Sequence, residues 1–239
     1  MHGLGLTIAA AQPMCRAYDV ARNAISHAEV IHAAAARVVV FPELSLTGYV
    51  LDAAPLHPDD DRLRPVIDAC AATGSIALAG APTADDQGKY IAVLALDAGG
   101  TRVLYRKMWL SEAERERFVP GPFPVVLDVD GFRLGIAICK DTSVDEHADA
   151  TAHLGMDIYV AGVLDSADDA SAQEQRARRT ASTHRVWVVV ASFAGSTGGG
   201  YEVAAAQSRI WSPSGAVVAS AGPTVGRIAR ATITTSTSA

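Results

Sequence analysis

The stretch Phe132-Arg-Leu-Gly-Ile-Ala-Ile138, followed directly by Cys139-Lys-Asp141, decides how this chain is read. From Leu134 to Ile138 it is apolar at every position rather than at alternate ones, the pattern of a strand covered on both faces. Comparable runs recur at residues 6–11, 37–41, 75–80, 90–96, 102–105, 157–163, 187–191, 208–211 and 216–220. They are rich in Val and Ile and are bounded by Gly, Pro or Asp, which marks strands. Between some of them lie segments of helical length and spacing: 19–36, 63–73, 144–154 and 171–184. Early strands alternate with helices, whereas 75–105 and 206–233 read as consecutive strands. The expectation is an α/β chain with a mixed sheet, or two sheets covered by helices.

Composition narrows the function classes. Of 239 residues, 49% are hydrophobic and 19% charged, which excludes disorder. The 20 basic residues are outnumbered by 26 acidic ones, a net charge of −6, so nucleic acid is not an expected partner. No apolar run approaches the ~18 residues that cross a bilayer, so no membrane partner is expected either. Three cysteines, Cys15, Cys70 and Cys139, make no disulfide framework, and a reducing cytoplasm is the expected compartment. The start Met1-His-Gly-Leu-Gly-Leu lacks the basic n-region of a signal peptide. One domain over residues 1–239 is the reading, with 195–200 as a mobile loop and 234–239 as a frayed tail.

Three strands deliver reactive groups at their carboxyl ends, where α/β proteins gather ligand sites. Arg37-Val-Val-Val-Phe-Pro-Glu43 brings a carboxylate, Thr101-Arg-Val-Leu-Tyr-Arg-Lys107 an amine, and Gly135-Ile-Ala-Ile-Cys139 a thiol. A thiol can attack an electrophilic carbon while a carboxylate moves its proton and an ammonium holds the oxyanion. Each residue also has an ordinary reading: a packed cysteine, a turn-capping glutamate, a solvated lysine. No CxxC, HExxH, P-loop, GxGxxG or GxSxG motif is present. His147 and His153 sit six apart, on different faces of a helix, and read as solvated positions rather than metal ligands.

These residues resemble the motifs of the nitrilase, or carbon–nitrogen hydrolase, superfamily. Phe41-Pro-Glu43-Leu-Ser-Leu-Thr-Gly48-Tyr49 is similar to its glutamate motif, Tyr105-Arg-Lys107-Met-Trp-Leu110 to its lysine motif, and Leu134-Gly135-Ile-Ala-Ile-Cys139-Lys-Asp141 to its nucleophile motif. Glu114-Arg-Glu-Arg-Phe118-Val-Pro120-Gly121, Ala11-Gln12-Pro13 and Ser212-Pro-Ser-Gly215 add to the resemblance, which covers nearly the whole chain. It implies a four-layer α-β-β-α sandwich, usually dimeric, with no metal or organic cofactor. It also implies Cys139 as nucleophile, Glu43 as general base and acid, and Lys107 as oxyanion stabiliser helped by the Lys140 backbone N–H. Glu114, rather than Glu116, is the implied second active-site glutamate. A thiolate beside an ammonium is expected to have a lowered pKa.

Departures from the family bear on substrate. Lys140 follows the nucleophile, and Asp141-Thr-Ser-Val144 lacks the arginine with which many relatives clamp a carboxylate. Ser192 stands where an asparagine is common, and the tail that helps many relatives dimerise is short. Tyr49 and Lys140 are the expected substrate-contacting residues, and Asp141 the one that fixes the turn. Trp109, Trp187 and Trp211 read as core or interface aromatics, and Arg176, Arg178 and Arg179 as a solvated helix face. The expected activity is hydrolysis of a small amide or N-carbamoyl compound through a thioester, releasing ammonia or an amine. Nitrile hydrolysis and acyl transfer to another acceptor are the alternatives, and a non-catalytic interaction module is the least favoured. The expected partners are a small-molecule substrate and a second copy of the chain.

Overall fold

The computed structural model describes residues 5–197 and 201–234. Its elements run β1 Gly5–Ala11, α1 Val20–Ala34, β2 Val38–Val40, α2 Arg64–Thr73, β3 Ile76–Asp85, β4 Gly88–Asp97, β5 Gly100–Arg106 and α3 Glu112–Arg115. They continue with β6 Val126–Val129, β7 Phe132–Ile138, α4 Asp145–His153, β8 Ile158–Val163, α5 Ala170–His184 and β9 Trp187–Ser192. The last are β10 Ala194–Gly195, β11 Ala204–Ala205, β12 Arg209–Trp211, β13 Val217–Ser220 and β14 Ile228–Thr234.

Two six-stranded sheets form, ordered β14-β1-β2-β3-β4-β5 and β13-β12-β9-β8-β7-β6. Each has a parallel centre, β1-β2-β3 in one and β7-β8-β9 in the other, flanked by antiparallel strands. The apolar runs are explained by this layering. Ile8 and Ala10 face the second sheet with Leu134, Ile136 and Ile138, while Ala9 and Ala11 face α1 and α2. On the far side, Ala161, Val188 and Val190 pack with Ala177 and Ala181 of α5. The result is helix, sheet, sheet, helix, as the resemblance implied.

Local signals set the helix ends. The Asp19 side chain accepts the Arg22 N–H to start α1, and Gly74, at φ 68°, ends α2. Where expectation and structure differ, exposure is the usual reason. The half-exposed edge strand β6 follows a Pro-rich segment and is broken by Asp128, so its pattern is weak. β3 runs on to Asp85 through a polar end. Thr234 closes β14 opposite Gly5 and is not frayed, while 235–239 and the loop positions 198–200 lie outside the described residues. His147 is fully buried, contrary to its solvated reading. Cys15 and Cys70 are buried within apolar clusters. Among the described residues, no helix is long and apolar enough to cross a membrane.

Candidate active site

Glu43 arrives on a tight segment after β2, wedged between the sheets. Phe41 N–H donates to Leu78 O at 2.9 Å, Leu46 N–H to Gly80 O at 3.0 Å, and Leu44 takes a left-handed φ of 53°. Two glycines make the room. A Cβ on Gly80 would lie 2.2 Å from Leu44 N, and one on Gly162 of β8 would lie 2.5 Å from Phe41 O. Lys107 leaves β5 with its N–H on Ile91 O and its carbonyl accepting Gly121 N–H, both at 2.8 Å.

Cys139 follows β7 at φ 37°, an uncommon conformation for a residue with a side chain. Asp141 holds that turn. Its carboxylate accepts Ile138 N–H at 2.9 Å, Trp109 N–H at 2.9 Å and the Tyr105 hydroxyl at 2.8 Å. One buried side chain thus ties the thiol's turn to the segment after Lys107. Behind it, His147 touches the hydroxyls of Tyr105 at 3.0 Å and Tyr159 at 2.8 Å.

The centre holds one ammonium and two carboxyl groups, all essentially removed from solvent. Lys107 Nζ donates to Glu43 Oε1 at 2.6 Å and to Glu114 Oε1 and Oε2 at 2.7 and 2.9 Å. The two carboxyls diverge. Burial pushes Glu43 up to about 8, which Lys107 only partly offsets and Glu114 reinforces. Burial also acts on Glu114, yet the Lys107 charge and hydrogen bonds from Lys107, Ser111 and Tyr49 carry it below the usual range. Burial opposes the Lys107 charge, but Glu43, Cys139 and Glu114 hold it protonated. Among the described residues, Glu43 Oε2 is buried with no hydrogen-bond partner. An unsatisfied carboxyl oxygen on a group poised near neutrality is equipped to move a proton.

Cys139 is half-buried, and its thiol donates to Leu164 O at 3.1 Å. Its pKa is raised well above the ordinary value, first by burial and then by Glu43, with Lys107 opposing. The expected lowering by Lys107 is therefore corrected: burial, with Glu43, outweighs the ammonium, and the resting group is a thiol.

Cys139, Lys107, Glu114, Tyr49 and Lys140 line one cavity of about 220 Å³, and Glu43 lies buried against its Lys107. Tyr49 donates to Glu114 Oε1 at 3.1 Å and meets the Tyr201 ring edge-on at 5.7 Å. Lys140 is exposed, Glu116 pairs with Arg117 outside the site, and Ser192 is buried against Gln173 at 3.1 Å.

Ser111, Asp165, Arg176 and Tyr201 also line the cavity and were not singled out as site residues. Ser111 carried a usable signal, the S-x-x-E capping box at 111–114. Asp165 lies just past β8, so the strand-end rule applied to it too. Arg176 is a correction. Arg178 and Arg179 are exposed and pair with Glu174 and Asp145, but Arg176 turns inward to Asp165. Among the described residues no group of three or more His, Cys, Asp or Glu is placed to hold a metal ion.

Comparisons with known proteins bear on the family and the fold. The profile of the carbon–nitrogen hydrolase family matches residues 7–239. A Pseudomonas protegens protein described as the hydrolase in the pqqF 5′ region is 29% identical over 194 residues, covering 75% of this chain and 67% of that protein. The nitrilase-superfamily protein Nit3 of Saccharomyces cerevisiae superposes with a TM-score of 0.84 at 22% identity, covering 96% of this chain and 90% of that one. An amidase from Nesterenkonia sp. superposes with a TM-score of 0.86 at 22% identity, over 98% and 92% of the two chains. The chain is a member of the carbon–nitrogen hydrolase family.

Proposed function

We propose that the chain hydrolyses a small amide or N-carbamoyl compound through a thioester on Cys139. The observation that carries this reading is the shared ammonium: Lys107 bonds Glu43 and Glu114 beside Cys139, leaving Glu43 Oε2 unpartnered.

Glu43 takes the thiol proton as Sγ attacks the carbonyl carbon, so thiolate forms only as it is consumed. The oxyanion is received by Lys107 Nζ and the Lys140 backbone N–H. Glu43 then gives its proton to the departing nitrogen, and ammonia or an amine leaves. Water enters, loses a proton to Glu43 and attacks the thioester. The acid departs, and the proton returns to the thiol. One amide and one water become one acid and one amine. Glu114 fixes Lys107, and Tyr49 fixes Glu114. Support for small amides comes from the Nesterenkonia amidase, mutants of which have been solved in complex with acrylamide and with butyramide.

Ammonia release from a panel of amides, N-carbamoyl compounds and nitriles tests the reading. Cys139→Ala is expected to abolish release, and the wild type to carry an acyl adduct on Cys139 by intact mass. Full release by Cys139→Ala would sink it.

A further inference from the structure

Arg176 and Asp165 form a polar wall beside the thiol. Asp165 follows Leu164, whose carbonyl accepts the Cys139 thiol at 3.1 Å. Arg176 reaches from α5 to place Nη2 2.6 Å from Asp165 Oδ2. The two side chains are only 19% and 12% exposed, and both border the cavity. A guanidinium has five N–H donors. Among the described residues Arg176 makes this one hydrogen bond, and its Nε is buried without a partner.

Lys107 is engaged by two glutamates and Asp165 by Arg176, which leaves Arg176's spare donors and the exposed Lys140 ammonium. Spare donors on a half-satisfied cation, held rigidly by a carboxylate, suit an acceptor-rich anionic group. The segment after the nucleophile, Asp141-Thr-Ser-Val144, has no arginine. α5 supplies one from elsewhere.

We propose that Arg176, positioned by Asp165 and assisted by Lys140, is the specificity residue of the cavity. It selects substrates whose acyl chain ends in a carboxylate, such as dicarboxylic acid monoamides. This rests on the hydrolase reading above and specifies the acyl group that the reading leaves open.

The test compares glutaramate with its neutral isostere, 5-methylhexanamide. Wild type is expected to favour glutaramate in kcat/KM by roughly 10- to 100-fold, the range of a charge-assisted hydrogen bond. Arg176→Gln should collapse that preference, chiefly through KM, and Arg176→Lys should restore part of it. Arg176→Gln leaves Asp165 buried and unpaired, so the double variant Asp165→Asn/Arg176→Gln repeats the measurement without that charge. An equal preference in wild type and both Gln-containing variants, or a wild-type preference for the neutral amide, overturns the proposal. Calorimetric titration of glutaramate into Cys139→Ala separates it from the hydrolase reading. Binding that weakens about 10-fold or more on adding Arg176→Gln supports the proposal even if no amide is turned over. Hydrolysis of neutral amides with no glutaramate binding refutes it and leaves the hydrolase intact.

Discussion

Two glutamates share one lysine, and their surroundings give them opposite duties. Glu114 accepts hydrogen bonds from Tyr49, the Ser111 N–H and Lys107 through its carboxylate, and with the Lys107 charge beside it stays ionised. Glu43, held at about 8, can take and return a proton near neutral pH. Below that value it carries its proton and cannot accept one from the thiol. Amide hydrolysis is therefore expected to rise with pH through a midpoint near 8, as Glu43 ionises. Glu43→Gln should lower kcat/KM by about 10²- to 10⁴-fold and abolish that limb, as a pH–rate profile will register. Glu43, Lys107 and Cys139 were legible because each ends an apolar strand. The spare oxygen on Glu43 and the raised thiol were not, since both depend on neighbours distant in sequence.

At the scale of elements, the site depends on close approach. Gly162 of β8 admits the Glu43 segment, and a methyl group there would lie 2.5 Å from Phe41 O and 3.1 Å from Glu43 N. Gly162→Ala is expected to destabilise the fold by about 1–3 kcal/mol and to lower activity together with Tm. Thermal melting beside kcat/KM checks this, and unchanged activity would show that the segment tolerates displacement. The strands with two covered faces were readable from composition, as were helices with clear caps. The edge strand β6 and the inward turn of Arg176 were not. A helix periodicity gives faces, but the partner of each face is decided by tertiary packing.

At the scale of the molecule, the buried imidazole of His147 joins Tyr105 of the first sheet to Tyr159 of the second. Burial lowers its pKa from 6.5 to about 4, so the folded chain keeps it neutral. The unfolded chain binds the proton first as pH falls, and His147's share of stability is present above 6.5 and lost toward 4. The gap in unfolding free energy between wild type and His147→Gln should change by up to about 1.4 kcal/mol per pH unit across that window. Denaturant titrations at several pH values measure it, and a constant gap would disprove the linkage. The runs of strands left one mixed sheet or two covered sheets open and the motif resemblance pointed to the sandwich, whereas this cross-sheet network was hidden behind a histidine that reads as solvated. The path of β14 has a consequence of its own. The last strand among the described residues returns to pair along the whole of β1, while Cys139 belongs to the other sheet from Glu43 and Lys107. A cut between α3 and β6 would leave two fragments, each with an incomplete set of reactive groups and one holding the strand that completes the other's sheet. β14 thus laces the two halves together, and the site is complete only in the reassembled whole.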